Sequence, residues 1–184
     1  TDPDPLADLD GLEFELPPPR LEQKVLAGQR FDDLVAPGYA RLGQPGQPAL
    51  PFVAELLAMP PGARIEVEVH PLHHIDVEDV FFVPAPQLPT GAEVLVYQPA
   101  NAHYQQDVFA PQQIVRSEYM GILRGVPAHA LRIYPFSYNP ARRILRIYDR
   151  LRVQVRFRGG SSSKAFSQPF QSAPGLYEAF LNTP

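Results

Sequence analysis

Hydrophobic and polar residues alternate through much of the second half of the chain, and the clearest run lies just before residue 158. There Leu151, Val153, Val155 and Phe157 alternate with arginine and glutamine. A period of two places one side of the backbone against a core and the other in water, which predicts a β-strand. The stretch 131–158 reads as three strands in succession, so it predicts a β-meander.

The reversals of this meander are predicted from residues that favour turns. Pro140 fixes its φ angle and Asn139 can hydrogen-bond its own backbone, so the first turn is expected at 138–141. The second turn is expected at Asp149 and Arg150. With this register, the odd-numbered apolar residues of the second and third strands face the same side.

Shorter strand patterns occupy the first two thirds of the chain. The best is 64–70, where Ile65, Val67 and Val69 are expected inward and the glutamates between them outward. Further strands are predicted at 12–16, as a pair around Gly28 within 21–35, and at 52–58, 80–83, 114–119 and 120–123.

These elements predict an all-β fold, an antiparallel β-sandwich with a short C-terminal helix. Residues 1–20 form an acidic, proline-rich leader, and 21–158 form the sandwich. Residues 159–184 are expected to form a flexible link and a short helix, over 174–181, leading towards a following domain. The 23 prolines are spread among the strand patterns, which is typical of short strands joined by stiff loops.

Charge is unevenly placed along the chain. Residues 1–115 hold 17 acidic and 5 basic side chains, whereas 116–184 hold 3 and 11. Arginines on late strands are therefore expected to pair with acids on early strands. The pI near 5.7 and the few aromatic residues among the arginines argue against a nucleic-acid partner.

Other classes are excluded by what the sequence lacks. No apolar run is long enough to cross a bilayer, so no membrane insertion is expected, and 1–4 is unlike a signal peptide. No cysteine is present, hence no disulfide and no thiolate nucleophile. A Gly-x-Ser-x-Gly elbow, a phosphate-binding glycine loop and a His-Glu-x-x-His motif are also missing, so an enzyme is not expected.

One cluster has the residue types of a metal site. On a strand, His74, Asp76 and Glu78 would share one face and are the candidate ligands. A solvated strand face explains them equally well, so no metal and no other cofactor is assigned.

A long loop stiffened by prolines follows residue 83, and such loops on a rigid sandwich commonly carry binding residues. The candidates are Pro86, Gln87, Leu88, Pro89, Thr90, Gly91 and Glu93.

A set of short motifs occurs in a fixed order along the chain. They are Gly46-Gln47-Pro48-Ala49-Leu50-Pro51, Met59-Pro60-Pro61-Gly62-Ala63, Leu123-Arg124-Gly125, Pro135-Phe136-Ser137-Tyr138-Asn139-Pro140, Leu145-Arg146-Ile147-Tyr148 and Leu176-Tyr177-Glu178-Ala179-Phe180-Leu181-Asn182. In order and spacing this set resembles the N-terminal propeptide domain of gingipain-like cysteine peptidases, over roughly residues 20–182.

The resemblance implies a β-sandwich prodomain, secreted or at the cell surface, that precedes a caspase-like peptidase domain. Such a prodomain helps the enzyme to fold and keeps it latent by covering its active site. Its partner would be the cognate cysteine peptidase catalytic domain, in cis or after cleavage. The catalytic cysteine and histidine would belong to that domain.

In gingipains, a basic side chain on a prodomain loop is placed in the specificity pocket of the enzyme. The matching loop here, 84–98, contains no Lys or Arg. Three alternatives remain open. The cognate enzyme prefers another side chain, with Leu88 or Glu93 as candidates; the domain inhibits by bulk coverage; or it belongs to a relative without peptidase activity.

A different class also fits the pattern, namely an extracellular β-sandwich module that binds carbohydrate or a cell surface. Such modules are expected to show exposed aromatic platforms. The chain has no Trp, and most of its Tyr residues lie in strand registers that fit a core.

Overall fold

A computed structural model describes residues 9–15, 19–36, 38–41, 43–59, 62–123 and 125–159. This part of the chain contains ten strands and one helical turn. They are β1 (Leu9–Glu15), β2 (Arg20–Leu26), β3 (Gln29–Val35), β4 (Ala40–Arg41), β5 (Pro51–Ala58), β6 (Arg64–Val77), α1 (Asn101–Tyr104), β7 (Val115–Leu123), β8 (Val126–Ile133), β9 (Phe136–Asn139) and β10 (Ile144–Arg158).

Two four-stranded antiparallel sheets make up the framework. One has the order β1-β10-β6, with β9 also paired to β10, and the other has the order β4-β5-β8-β7. An apolar cluster draws on both sheets, with fully buried members Leu57, Leu131, Ile133, Leu151, Val153 and Val155. The inward faces of the two sheets therefore share a core, and the predicted all-β sandwich is confirmed.

The strand pair β2–β3 forms a separate two-stranded hairpin. Its turn contains Gly28 at a φ of +79°, a left-handed angle that glycine adopts without strain. The pair predicted around this glycine is confirmed, as are the strands predicted at 12–16, 52–58 and 64–70.

The turn predicted at Asp149 and Arg150 is wrong, because β10 runs through both residues without a break. The register against β6 shifts there, from Arg150 opposite His73 to Leu151 opposite Pro71, and then recovers. Since β6 is 14 residues long, it can pair with β10 from Leu145 to Arg158. The irregularity is absorbed as a local bulge. The apolar residues at odd positions of β10 face the interior, as predicted: Leu145, Leu151, Val153 and Val155 are buried, and Ile147 and Phe157 are half-buried.

Two further features differ from what the sequence predicts. The strands predicted at 114–119 and 120–123 are a single strand, β7, with a bulge between Tyr119 and Gly121. The helical turn α1 was not predicted.

No helix in the described ranges is long and apolar enough to cross a membrane. The helix predicted at 174–181 lies outside the described residues.

Residues 80–83 were predicted to be a strand, and they are instead a buried, irregular segment. Val80 and Phe82 have almost no exposed surface and belong to a second apolar cluster, with Phe136, Tyr138 and Leu145. Phe82 forms only an isolated bridge, to Asp32 of β3. The apolar run that resembled a strand therefore reflects burial alone, which is the known ambiguity of short apolar runs.

The backbone of this buried segment is hydrogen-bonded by side chains as well as by the main chain of Asp32, Ala49 and Arg143. The Tyr138 hydroxyl donates to the Val80 carbonyl at 2.6 Å and accepts the Phe82 N–H at 3.4 Å. The Tyr104 hydroxyl donates to the Phe82 carbonyl at 2.6 Å, and the Phe81 N–H donates to Asp32 at 2.7 Å. Burial raises the pKa of both tyrosines, so their hydroxyls stay protonated as donors.

Exposed ion pairs join β6 to β10 across the outer face of their sheet. They are Glu66 with Arg158 at 3.1 Å, Glu68 with Arg156 at 3.7 Å and Asp76 with Arg146 at 2.8 Å. In each case the acid lies on the earlier strand and the arginine on the later one. The pairing predicted from the uneven charge is confirmed.

Removing the Tyr138 hydroxyl is expected to destabilise the fold. The Tyr138→Phe variant leaves the buried Val80 carbonyl without its donor, and an unsatisfied buried polar group costs about 1–3 kcal/mol. Tyr119→Phe is the matched control, because Tyr119 is exposed and its variant should lie within about 0.5 kcal/mol of the wild type. Chemical denaturation measures both. Equal stabilities for the two variants would contradict the assigned role of the Tyr138 hydroxyl.

Candidate functional site

The loop 84–98 leaves the core directly after the buried segment, and both of its ends attach to one short piece of backbone. Near the first end, the Ala85 N–H donates to the Gln47 carbonyl at 2.6 Å and the Gly46 N–H donates to the Ala85 carbonyl at 3.0 Å. Just past the second end, the Ala100 N–H donates to the Gly46 carbonyl at 3.0 Å. The loop is thus closed at its base.

Gly46 sits where the two ends of the loop meet. Its φ is +82°, and a Cβ at this position would lie 2.8 Å from the Ala100 Cβ and 3.1 Å from the Gln98 carbonyl oxygen. Glycine is therefore required for both the backbone angle and the close approach. The proline- and glycine-rich sequence around it predicted a packed crossover, but its role in closing the loop was missed.

The tip of the loop is held by a second closure. The Gln87 N–H donates to the Val96 carbonyl at 2.9 Å, and the Val96 N–H donates to the Gln87 carbonyl at 2.8 Å. Further out, the Ala92 N–H donates to the Pro89 carbonyl at 3.0 Å, with Gly91 at a φ of +80°. These contacts describe a pre-formed, hairpin-like tip.

The candidate residues predicted from sequence all lie on this tip. Pro89 is half-buried, and the others, Pro86, Gln87, Leu88, Thr90, Gly91 and Glu93, are exposed. The tip is also unusually apolar: the exposed fractions are 59% for Leu88, 73% for Val94, 48% for Leu95 and 43% for Val96. The last three were not among the predicted site residues, although the run of apolar letters was visible. Clustered exposed apolar side chains mark interaction surfaces more often than isolated ones do.

A cleft of about 790 Å³ lies beside the base of the loop, between the β2–β3 hairpin and residues 83–86. Within it the buried Asp33 carboxylate accepts hydrogen bonds from both Lys24 and Arg41. Arg41 also donates to the Leu34 carbonyl. These contacts tie β2, β3 and β4 together beside the first residues of the loop, so they support its position.

The three candidate metal ligands are not brought together as a site. Asp76 accepts two hydrogen bonds from Arg146, both at 2.8 Å, and His74 lies against the Tyr148 ring. Within the ranges that the structure describes, no group of three or more His, Asp or Glu side chains is arranged to hold a metal ion. Asp76 instead takes part in the set of ion pairs that joins β6 to β10.

An aromatic platform for sugar binding is not found in the described part of the chain. Among the Phe and Tyr residues whose side chains the structure describes, Tyr119 on β7 is the one that is exposed. Sugar rings are typically stacked on several aromatic faces, so a single tyrosine does not favour the carbohydrate-binding alternative.

The model of the Propeptide_C25 family matches residues 12–170, which is most of the chain. The chain belongs to this family. The irregular buried segment, the loop 84–98 and strands β2 to β10 all fall within the matched range. The resemblance inferred from the ordered motifs is therefore confirmed, and the chain is a propeptide domain, not an enzyme.

Individual relatives agree with this assignment. The propeptide is 26% identical over 161 residues to Lys-gingipain HG66 of Porphyromonas gingivalis, covering 79% of this chain and 9% of the relative. It is 30% identical over 119 residues to gingipain R2 of the same organism, covering 62% of this chain and 16% of the relative. The propeptide thus spans only a small part of the length of these curated relatives.

Solved structures share the fold. A complex of the RgpB pro- and mature domains of P. gingivalis matches at a TM-score of 0.79 and 22% identity, over 100% of this chain and 99% of the other. A structure on the zymogenic latency of gingipain K from P. gingivalis matches at a TM-score of 0.67 and 24% identity, over 82% of this chain and 88% of the other. The β-sandwich of this propeptide is therefore that of gingipain propeptides.

Replacing Gly46 is expected to open the base of the loop. Gly46→Ala adds both an unfavourable backbone angle and a close contact, whereas Gly28→Ala adds only the angle, because no atom lies within 4 Å of its Cβ. Overpacking costs about 1–3 kcal/mol, so Gly46→Ala should be the less stable variant by that amount. Denaturant unfolding measures the difference, and exchange of the Ala85 and Ala100 amides, which close the base, should accelerate only in Gly46→Ala. Equal losses in the two variants would contradict the proposed closure.

The Asp76–Arg146 pair predicts a pH dependence of stability. The hydrogen bond from Arg146 lowers the pKa of the Asp76 carboxyl. A lowered folded-state pKa stabilises the fold above the unfolded-state pKa of about 4, and this contribution is lost as the pH falls through the folded-state pKa. Exposed pairs contribute about 0.2–1 kcal/mol, so Asp76→Asn should be less stable by that amount at pH 7 and equal to wild type at strongly acidic pH.

Denaturation midpoints from pH 7 to pH 2 measure this difference. The control is Glu78→Gln, since Glu78 forms no ion pair within the residues that the structure describes. Its difference from wild type should be small at neutral pH. A gap between Asp76→Asn and wild type that persists undiminished at pH 2 would show that the pair does not act through its charge.

Proposed function

We propose that this domain assists the folding of a gingipain-like cysteine peptidase and holds it latent by covering its active site with the loop 84–98. Family membership supplies the role of propeptide. The observation that carries the choice of loop is its apolar tip, which is exposed on a base closed by main-chain hydrogen bonds. The partner is the catalytic domain, attached in cis or retained after cleavage.

The shape of the loop suits a competitor for a substrate cleft. Its tip is already closed by the Gln87–Val96 hydrogen bonds, so it loses little conformational entropy when it docks. Its exposed apolar side chains gain free energy on leaving water. A pre-formed apolar surface therefore supports binding to a concave partner better than the polar face of the β6–β10 sheet does.

Attachment in cis strengthens even a weak contact. A domain linked to its target has a high effective concentration, in the millimolar range for short flexible linkers. The RgpB structure is a complex of pro- and mature domains, and the gingipain K structure concerns zymogenic latency, so both relatives fit this arrangement. The site of action that we propose is extracellular, secreted or at the cell surface.

Exchanging the loop tip tests the proposal. Replacing residues 88–95 with a Gly/Ser segment of equal length keeps Gln87 and Val96 and removes three of the exposed apolar side chains. The variant should fold with unchanged β-sheet circular dichroism and inhibit the catalytic domain of its own precursor at least about tenfold more weakly than wild type, the loss expected from one fully buried Leu. Inhibition is measured as a Ki in trans.

A second exposed apolar surface provides the control. Met120 and Ile122 are 56% and 68% exposed and lie outside the loop, on β7 of the β4-β5-β8-β7 sheet. Their double substitution by Ser should leave the Ki unchanged. If this variant loses inhibition and the loop exchange does not, the peptidase is covered by β7 and not by the loop.

A further inference from the structure

The loop tip carries chemistry that bears on what the peptidase cleaves. Between Pro84 and Gln98 there is no Lys, Arg or His, and the only ionisable acid is Glu93. The side chains with the largest apolar exposure on the tip are Leu88, Val94, Leu95 and Val96. A cleft that is complementary to this tip must therefore accept apolar side chains and offer no buried partner for a cation.

Leu88 differs from the other exposed apolar residues of the tip in its neighbours. It lies between Gln87, whose backbone is fixed to Val96, and Pro89. A residue before proline is held in an extended conformation, because its helical conformation would bring its backbone into a clash with the proline ring. Extended backbone is the form in which a peptide lies along another protein's cleft as an added strand. Leu88 is thus presented in a substrate-like geometry.

The bond that follows Leu88 resists cleavage. A peptide bound with Leu88 in the specificity pocket would present the Leu88–Pro89 bond to the catalytic group. Proline has no N–H to pair with the cleft, and its ring restricts the approach of neighbouring groups. The same segment can therefore occupy the cleft as a substrate does and remain intact, which is what a lasting inhibitor requires.

We propose that the peptidase held by this propeptide is specific for apolar side chains, with Leu88 occupying its specificity pocket. This inference rests on the proposed function and names the substrate class of the same site. The peptidase cleaves after leucine-like residues and not after Lys or Arg. Glu93, which is exposed on the same tip, stays in solvent.

Substrate profiling tests the specificity directly. The mature peptidase from the precursor of this chain is assayed with fluorogenic peptides that differ only in the residue before the cleaved bond: Leu, Val, Arg, Lys or Glu. The Leu peptide should be turned over at least about tenfold faster than the Arg and Glu peptides, since filling an apolar pocket discriminates by roughly that factor or more. Faster cleavage after Arg, Lys or Glu overturns the inference.

Variants of the propeptide test the assignment of Leu88. Leu88→Ala should raise the Ki for the peptidase about 10- to 100-fold, because burial of a leucine side chain is lost. Ile122→Ala, at an exposed apolar position on β7 outside the loop, should leave the Ki unchanged. An unchanged Ki for Leu88→Ala rules out Leu88 as the pocket residue.

Converting the inhibitor into a substrate gives an independent readout. In Pro89→Ala the bond after Leu88 becomes an ordinary peptide bond, so mass spectrometry should find a new cut directly after Leu88, and none there in the wild-type chain. A cut elsewhere in the tip overturns the assignment.

The outcomes separate the two proposals. If the wild-type chain inhibits but the enzyme prefers a basic or acidic residue, only the specificity inference fails. If the wild-type chain does not inhibit its own peptidase, the proposed function fails and the inference falls with it.

Discussion

The hydrogen bond from the Tyr138 hydroxyl to the Val80 carbonyl is the contact on which the presentation of the loop depends. Residues 80–83 cross the interior outside the named strands, and buried backbone groups without partners are strongly destabilising. Main-chain hydrogen bonds with Asp32, Ala49 and Arg143 satisfy part of this backbone. The side chains of Tyr138, Tyr104 and Asp32 satisfy the rest. An irregular segment can therefore run through the core and emerge as a loop in a defined place.

The rest of the framework gives that segment a rigid surrounding. β10 pairs with β6 along its whole length, and Tyr138 belongs to β9, which also pairs with β10. The tyrosine that satisfies the buried segment is thus fixed by the longest strand pair in the described sheets. The ion pairs outside this sheet are exposed, and their contribution is small beside that of the shared apolar core.

Period-two patterns predicted the individual strands well, because burial on one side of a strand leaves a direct trace in the sequence. The meander predicted over 131–158 is wrong, because β8 pairs with β5 and β7 while β9 pairs with β10. Val153 and Val155, which alternate with polar residues, are buried in the core. The uneven charge between the halves corresponds to the observed ion pairs between β6 and β10. The sequence failed where tertiary contacts outweigh local preference. Asp149 and Arg150 resemble a turn, but β6 keeps them in a strand. The apolar run 80–83 resembles a strand, but it forms only an isolated bridge to Asp32, and tyrosine hydroxyls distant in sequence complete its hydrogen bonds.

The loop was located from its prolines, yet the features that make it a candidate site needed the coordinates. No local rule indicates that Gly46 brings together residues 85 and 100. The closure uses main-chain atoms at both ends, and so does the bridge between residues 87 and 96. Side chains on the tip can therefore change without disturbing what holds them. The sequence of the tip is thus decoupled from the contacts that support it, so substitutions there alter the surface that a partner meets while the fold of the domain stays the same.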